Sequence, residues 1–259
     1  AVTLGVGLAQ KLAINGSSPA GNVLIVDLDP QGNVASSFQI RMQAGKTLGD
    51  VLLKEATLKE SVVRAAPRPN LFILPSNDSL EQARRRLALE EAMALTATVG
   101  RPGNHKREDS IDTVLSRRLG IARRAFEFIL LDCPPSLNEL TNAVLDFADA
   151  AIVPVKPDYL GTTGTAQHTK NILDAQEEGV DIKIAWFLPT FYRGREILAQ
   201  QMLRTLISTY GKDKVATPIP QAAAVEQAPA SSGQTILEYD PSSPAAIAYA
   251  EFVERVYNG

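Results

Sequence analysis

Apolar residues gather into short, near-continuous runs at 23–28, 71–74, 128–131, 151–155 and 182–188. Runs of this length, without polar alternation, describe strands covered on both faces. Between most of them the apolar positions recur every three or four residues, at 137–147, 165–176 and 195–209, and that period predicts helices. The opening residues AVTLGVGLAQKLA set Leu4, Leu8 and Leu12 at helical spacing, so the chain is expected to open inside a helix. Strands alternating with helices predict a doubly wound α/β fold, a mostly parallel sheet with helices on both faces. Polar residues, Gly and Pro cluster at 14–22 and 97–109, which are expected to be surface insertions. No composition break or internal repeat divides the 259 residues, so a single domain over 1–259 is expected.

Two of these strands end in acid. VLIVDLDPQGN runs into Asp27 and Asp29 before Pro30 and Gly32 stop the strand, and FEFILLDCPPSL runs into Asp132. Open parallel sheets bind ligands in a crevice at the carboxyl ends of their strands. An apolar strand ending in Asp is the Walker B pattern of nucleotide hydrolases, in which the Asp holds magnesium through a water. By itself a buried strand ending in Asp is common, and an N-cap or turn Asp is the competing reading. The companion phosphate loop, GxxxxGK[ST], is absent from these residues. Gly5 and Gly7 lie inside the opening helix and read as packing glycines. Gly45, Lys46 and Thr47 spell GKT, but Ile40 stands where the loop's first Gly belongs and no strand precedes it.

A net charge of -3 excludes a global basic field for nucleic acid. The arginines at 84–86, 117–118 and 123–124 read as solvated helix faces. The single Cys133 excludes an internal disulfide and suits a reducing compartment. His105 and His168 have no partner at ligand spacing, which argues against zinc. Cys133 has no neighbouring base to activate it, and Trp186 and Phe187 read as strand core. No run of 18 apolar residues exists, so integral membrane association is not expected.

In chain order, VLIVDLDPQGN, ILLDCPPSL, IVPVKPDYLGTTG, LPTFYRGREI and IPQAAAVEQAPASSGQTILEYDPSS resemble ParA-type ATPases, in the ParA/MinD branch of the deviant Walker A P-loop NTPases. The similarity covers essentially the whole chain. In that family a loop reading KGGVGKTT runs directly into a helix like AVTLGVGLAQKLA. The resemblance therefore implies a chain that lacks the family's N-terminal strand and phosphate loop, and a fragment that binds nucleotide poorly or not at all without them.

The resemblance implies ATP and Mg2+ as cofactors and assigns roles residue by residue. Asp29 matches the position that orients the attacking water, and Asp132 the magnesium position. Asp27 is assigned to support the magnesium shell or the phosphate-loop backbone. Pro134 and Pro135 fall in the switch that senses the γ-phosphate. Gln31 and Asn33 would couple the site to a dimer interface, with ordinary turn polar groups as the alternative. Thr190 and Pro220 would flank the base. Here the chain departs from the family: IPQA replaces IPRN, so contact at Gln221 is in doubt.

The family implies an ATP-dependent homodimer, non-specific DNA binding, a cargo adaptor of the ParB type, and a cytoplasmic, nucleoid-associated location. Arg193, Arg195, Arg204, Lys212 and Lys214 are the DNA-binding candidates, against a solvated face as the competing reading. A MinD-like membrane-associated switch and a pseudo-ATPase scaffold are the alternatives. The closing AIAYAEFVERVYNG lacks a strongly basic amphipathic face, which favours packing over membrane attachment. Lys156 reads either as a surface lysine or as a residue that reaches phosphate across a dimer.

Overall fold

Every residue of β1 (Val23–Asp27) is buried, because the strand has a parallel neighbour on each edge and helices on each face. The computed structural model describes residues 1–14, 21–42, 45–98, 110–134, 139–157 and 159–259. These fall into two compact units, Ala1–Phe147 and Ala148–Gly259. In the first unit β2 (Val63–Arg64) pairs antiparallel with β3 (Leu71–Leu74), β3 pairs parallel with β1, and β1 pairs parallel with β4 (Phe128–Asp132). The three parallel strands, β1, β3 and β4, match the apolar runs. Two-residue β2 has too little pattern to register in a sequence.

Alternate β1 side chains serve opposite layers. On one face α1 (Val2–Ile14) lies close at Gly5, where an added Cβ would stand 2.6 Å from Cδ1 of Ile25. Gly5 is therefore a packing glycine. Leu24 and Val26 enter a core built with Leu48 and Leu52 of α3 (Leu48–Leu52), Leu80 of α5 (Ser79–Thr98), Leu115 of α6 (Val114–Leu119), and Ala143 and Phe147 of α7 (Thr141–Phe147). Two short helices, α2 (Asn33–Ser37) and α4 (Leu58–Ser61), complete the unit.

The GKT triplet has a structural purpose. Thr47 is fully buried at the N-cap of α3, its hydroxyl donating to Asp50 at 2.6 Å and lying 2.9 Å from the Ser79 hydroxyl. The expected insertions fall mostly outside the described residues, as does the first part of the helix expected at 137–147. The part that is described, α7, starts at Thr141.

In the second unit β5 (Ala150–Val155) and β6 (Lys183–Pro189) pair in parallel, with α8 (Tyr159–Glu177) between them in sequence. Then come α9 (Ile197–Tyr210), α10 (Ala223–Gln227), α11 (Ile236–Tyr239) and α12 (Pro244–Tyr257). Phe187 stacks on Tyr210 at 4.0 Å between ring centres, and Trp186 meets Phe252 edge-on at 6.0 Å. Phe187 is a core residue, as expected, whereas Trp186 is half-buried. Helix α12 buries Ala245, Ala246, Ala248, Phe252 and Val253, so its apolar face is already covered. Among the described residues no helix is long and apolar enough to cross a membrane.

Candidate functional site

The carboxyl ends of β1 and β4 set Asp27 and Asp132 opposite each other as register partners. Asp27 is completely buried, and both of its oxygens are engaged by the turn that follows. Oδ1 accepts the Asp29 N–H at 3.1 Å and Oδ2 accepts the Val34 N–H, in the first turn of α2, at 3.1 Å. Asp27 is thus a brace for the segment 27–34. Asp29 is half-buried; its Oδ1 accepts the Gln31 N–H at 3.0 Å, and its carbonyl accepts the Gly32 N–H at 3.0 Å. It lines an open cleft of about 720 Å³ with Pro30, Gln31, Asp78, Glu81, Gln82, Arg84, Arg85 and Pro134.

Burial pushes the Asp27 carboxyl up from 3.8 to about 6; the N–H groups of Asp29 and Val34 oppose the shift, and the charges of Asp132 and Asp29 add to it. Between those two values the folded chain keeps a proton that the unfolded chain has released. This group's contribution is therefore most favourable below the unfolded value, declines as pH rises through about 6, and is constant above that. The whole effect is on the order of 3 kcal/mol. In magnesium-free protein, Asp27→Asn should abolish this slope at a cost of about 1 kcal/mol, because the amide cannot accept both N–H bonds. Urea midpoints of both proteins between pH 4 and 7 check this; parallel pH profiles would refute it.

Asp132 is more accessible. Its carbonyl accepts the Leu28 N–H at 3.0 Å, and its carboxylate lies 3.9 Å from the Ala1 nitrogen, at the start of α1. Among the described residues no group of three or more His, Cys, Asp or Glu side chains is placed to hold a metal. A single accessible carboxylate suits magnesium, which keeps several waters and takes one or two carboxylates plus phosphate oxygens. It does not suit zinc.

Of the remaining candidates in this unit, Gln31 is exposed beside Asp29, and Asn33 is exposed as the first residue of α2. Pro134 lines the cleft, whereas Pro135 lies outside the described residues, as do His105 and the side chain of His168. In the second unit Thr190 and Pro220 share the lining of a cavity with Phe191, Ile219, Gln221, Ala222, Val225 and Tyr249. At about 30 Å³ it has room for about one water, far less than the few hundred Å³ of a small-molecule pocket. The Gln221 side-chain oxygen accepts a hydrogen bond from Nε of Arg193.

The basic candidates string along α9. Arg193 and Arg195 precede it, Arg204 lies within it, and Lys212 and Lys214 form the 3-10 turn after it. All five are exposed. Arg193 also pairs with Glu196 at 2.8 Å, and Lys214 donates to the Ile184 carbonyl at 3.0 Å. Lys156 is exposed, with its ammonium 5.6 Å from the centre of the Phe191 ring.

The solvated-face expectation fails at several arginines. Arg118 and Arg123 donate to the carbonyls of Leu52 and Phe147, and Arg84 is almost enclosed beside the cleft. The signal for Arg84 was helical phase: Leu80, Ala83 and Leu87 mark the inner row of α5, and residue 84 belongs to it.

An AAA domain family model matches residues 2–185. The chromosome-partitioning ATPase Soj of Thermus thermophilus is 32% identical over 259 residues, spanning 98% of this chain and 89% of its own length. The sporulation initiation inhibitor protein Soj of Bacillus subtilis is 29% identical over 257 residues, spanning 98% and 92% respectively. Among solved structures, the cobyrinic acid a,c-diamide synthase of Mycobacterium smegmatis, with a bound ATP analogue and magnesium, is similar with a TM-score of 0.72 and 26% identity, over 98% of this chain and 86% of that one.

Proposed function

Since the chain belongs to the ParA-type family of P-loop ATPases, within the AAA domain proteins, we propose that it works as a magnesium-dependent ATP-hydrolysing switch for partitioning or positioning a large cargo. The observation that carries this reading is the pair of acidic strand ends: Asp132 accessible at the end of β4, and Asp29 facing a cleft on a turn braced by Asp27. Asp132 would hold magnesium through a water, and the ion would neutralise phosphate charge. Asp29 orients the attacking water. Pro134 stiffens the chain after Asp132, while Gln31 and Asn33 carry the state of the site to the surface. Thr190 and Pro220 are the candidates to flank the base. Residues 1–259 all belong to one ATPase domain, a reading supported by relatives that match nearly the full length of the chain.

ATP hydrolysis by the full chain, dependent on magnesium, is the direct test. A full chain that neither binds nor hydrolyses ATP would instead be the pseudo-ATPase scaffold. The covered apolar face of α12 supports partitioning over a membrane-attached switch.

The finer reading is an ATP-dependent homodimer that binds DNA through Arg193, Arg195, Arg204, Lys212 and Lys214, answers to a ParB-type adaptor, and resides on the nucleoid in the cytoplasm. Phosphate contacts release counterions, so affinity for random duplex should fall steeply with salt. Each removed contact should lower the slope of log K against log salt by about 0.9. Arg195→Ala with Arg204→Ala in the ATP-bound protein is the variant to titrate. A salt slope identical to wild type would exclude this face.

A further inference from the structure

Three consecutive arginines on α5 differ sharply in their surroundings. Side chains of Arg85 and Arg86 are 77% and 56% exposed, whereas that of Arg84 is 13% exposed. The Arg84 guanidinium makes two separate pairs. Nη1 lies 3.2 Å from Oε2 of Glu81, one turn earlier on α5, while Nε donates to Oε2 of Glu139 at 3.0 Å and Nη2 lies 3.0 Å from the same oxygen.

Glu139 immediately precedes Leu140, which is buried in the same core as Leu80 and whose carbonyl accepts the Val144 N–H of α7 at 2.9 Å. Arg84 therefore bridges α5 to the start of the helix that follows β4 and Asp132. It lines the cleft in which Asp29 and Pro134 also stand. With two carboxylates already on it, its charge is compensated locally. It suits holding geometry better than gripping a phosphate.

We propose that Arg84 is a positioning residue for hydrolysis, clamping α5 to Glu139 at the start of α7 and so fixing the wall of the cleft that Asp29 uses. This rests on the ATPase reading above. The fork of Arg reaches two carboxylates at once, which a lysine ammonium does with poorer geometry. Small displacements of the groups around a reacting atom cost turnover far more than binding.

The test uses Arg84→Ala, Arg84→Lys and the isosteric Glu139→Gln in the full chain, with melting temperature monitored so that loss of fold is recognised. Arg84→Ala and Glu139→Gln should each lower kcat about tenfold or more with KM for ATP nearly unchanged. Arg84→Lys should recover part of the loss, and the double variant should be no worse than Arg84→Ala alone. The Val144 amide should exchange faster with solvent in Arg84→Ala while the β1 amides keep their protection. Wild-type kcat in Arg84→Ala, additive losses, or a rise in KM as the main effect would overturn the proposal, the last by making Arg84 a phosphate ligand. Unchanged Val144 exchange removes the clamp whatever the activity. An unaltered protein that hydrolyses no ATP, with Val144 loosened in Arg84→Ala, overturns the function instead.

Discussion

Replacing Asp29 with Ala should reduce ATP turnover on the order of 10²- to 10³-fold while leaving ATP binding and the fold close to wild type. The loss is large because in-line attack on a phosphoryl group depends on alignment of the water, and no other carboxylate in the braced turn is available for that task. Asp27 cannot substitute, since it is fully buried and both oxygens accept backbone N–H bonds. The fold should tolerate the change for the same reason: the brace grips the backbone N–H of residue 29, which alanine retains. Only the acceptor for the exposed Gln31 N–H is lost, and water replaces it. Steady-state kcat and KM, with nucleotide affinity measured separately, check this. Turnover within about threefold of wild type, a difference smaller than the typical contribution of one acid or base, would remove Asp29 from the water-positioning role.

Gly32→Ala should cost roughly 2–5 kcal/mol of stability. Gly32 has φ +65°, the left-handed region where a side chain costs about 1–2 kcal/mol. A Cβ there would also stand 2.6 Å from the Ser76 carbonyl oxygen, a backbone atom that cannot swing aside. Gly45 provides the control, with φ +72° and no atom within 4 Å of its added Cβ. Gly45→Ala should cost only about 1 kcal/mol. Urea denaturation of the two variants side by side separates steric collision from conformational strain. Equal losses would show that Ser76 yields. Turnover should fall with Gly32→Ala and not with Gly45→Ala, because only Gly32 lies in the turn that presents Asp29.

Strand and helix content was legible because apolar periodicity is a local property: five near-continuous apolar runs became β1, β3, β4, β5 and β6 within a residue or two at either end. Asp29 and Asp132 were legible for a related reason, since an acid closing a buried strand must emerge at the sheet's carboxyl end wherever the strand sits. The GKT triplet fails as a phosphate loop on spacing and on the lack of a preceding strand, although its use as the cap of α3 could not be foreseen without Ser79 beside it. Arg84 reads from composition as part of a charged surface run. Composition sees three equal arginines, while helical phase turns one of them inward.

By itself, then, the order of residues determined an α/β chain with acids at two strand ends and, through its ordered motifs, its family. Each of those follows from local chemistry or from short segments whose pattern survives without knowledge of their neighbours. Tertiary structure alone decided which acid braces and which one faces the cleft, why residue 32 must be glycine, and where Arg84 finds its partners. Those depend on the approach of segments distant in sequence: β1 on β4, Gly32 on Ser76, and α5 on Glu139. Burial and hydrogen bonding act through space, and the same Asp side chain becomes a strut or a ligand-facing group according to what the fold brings beside it.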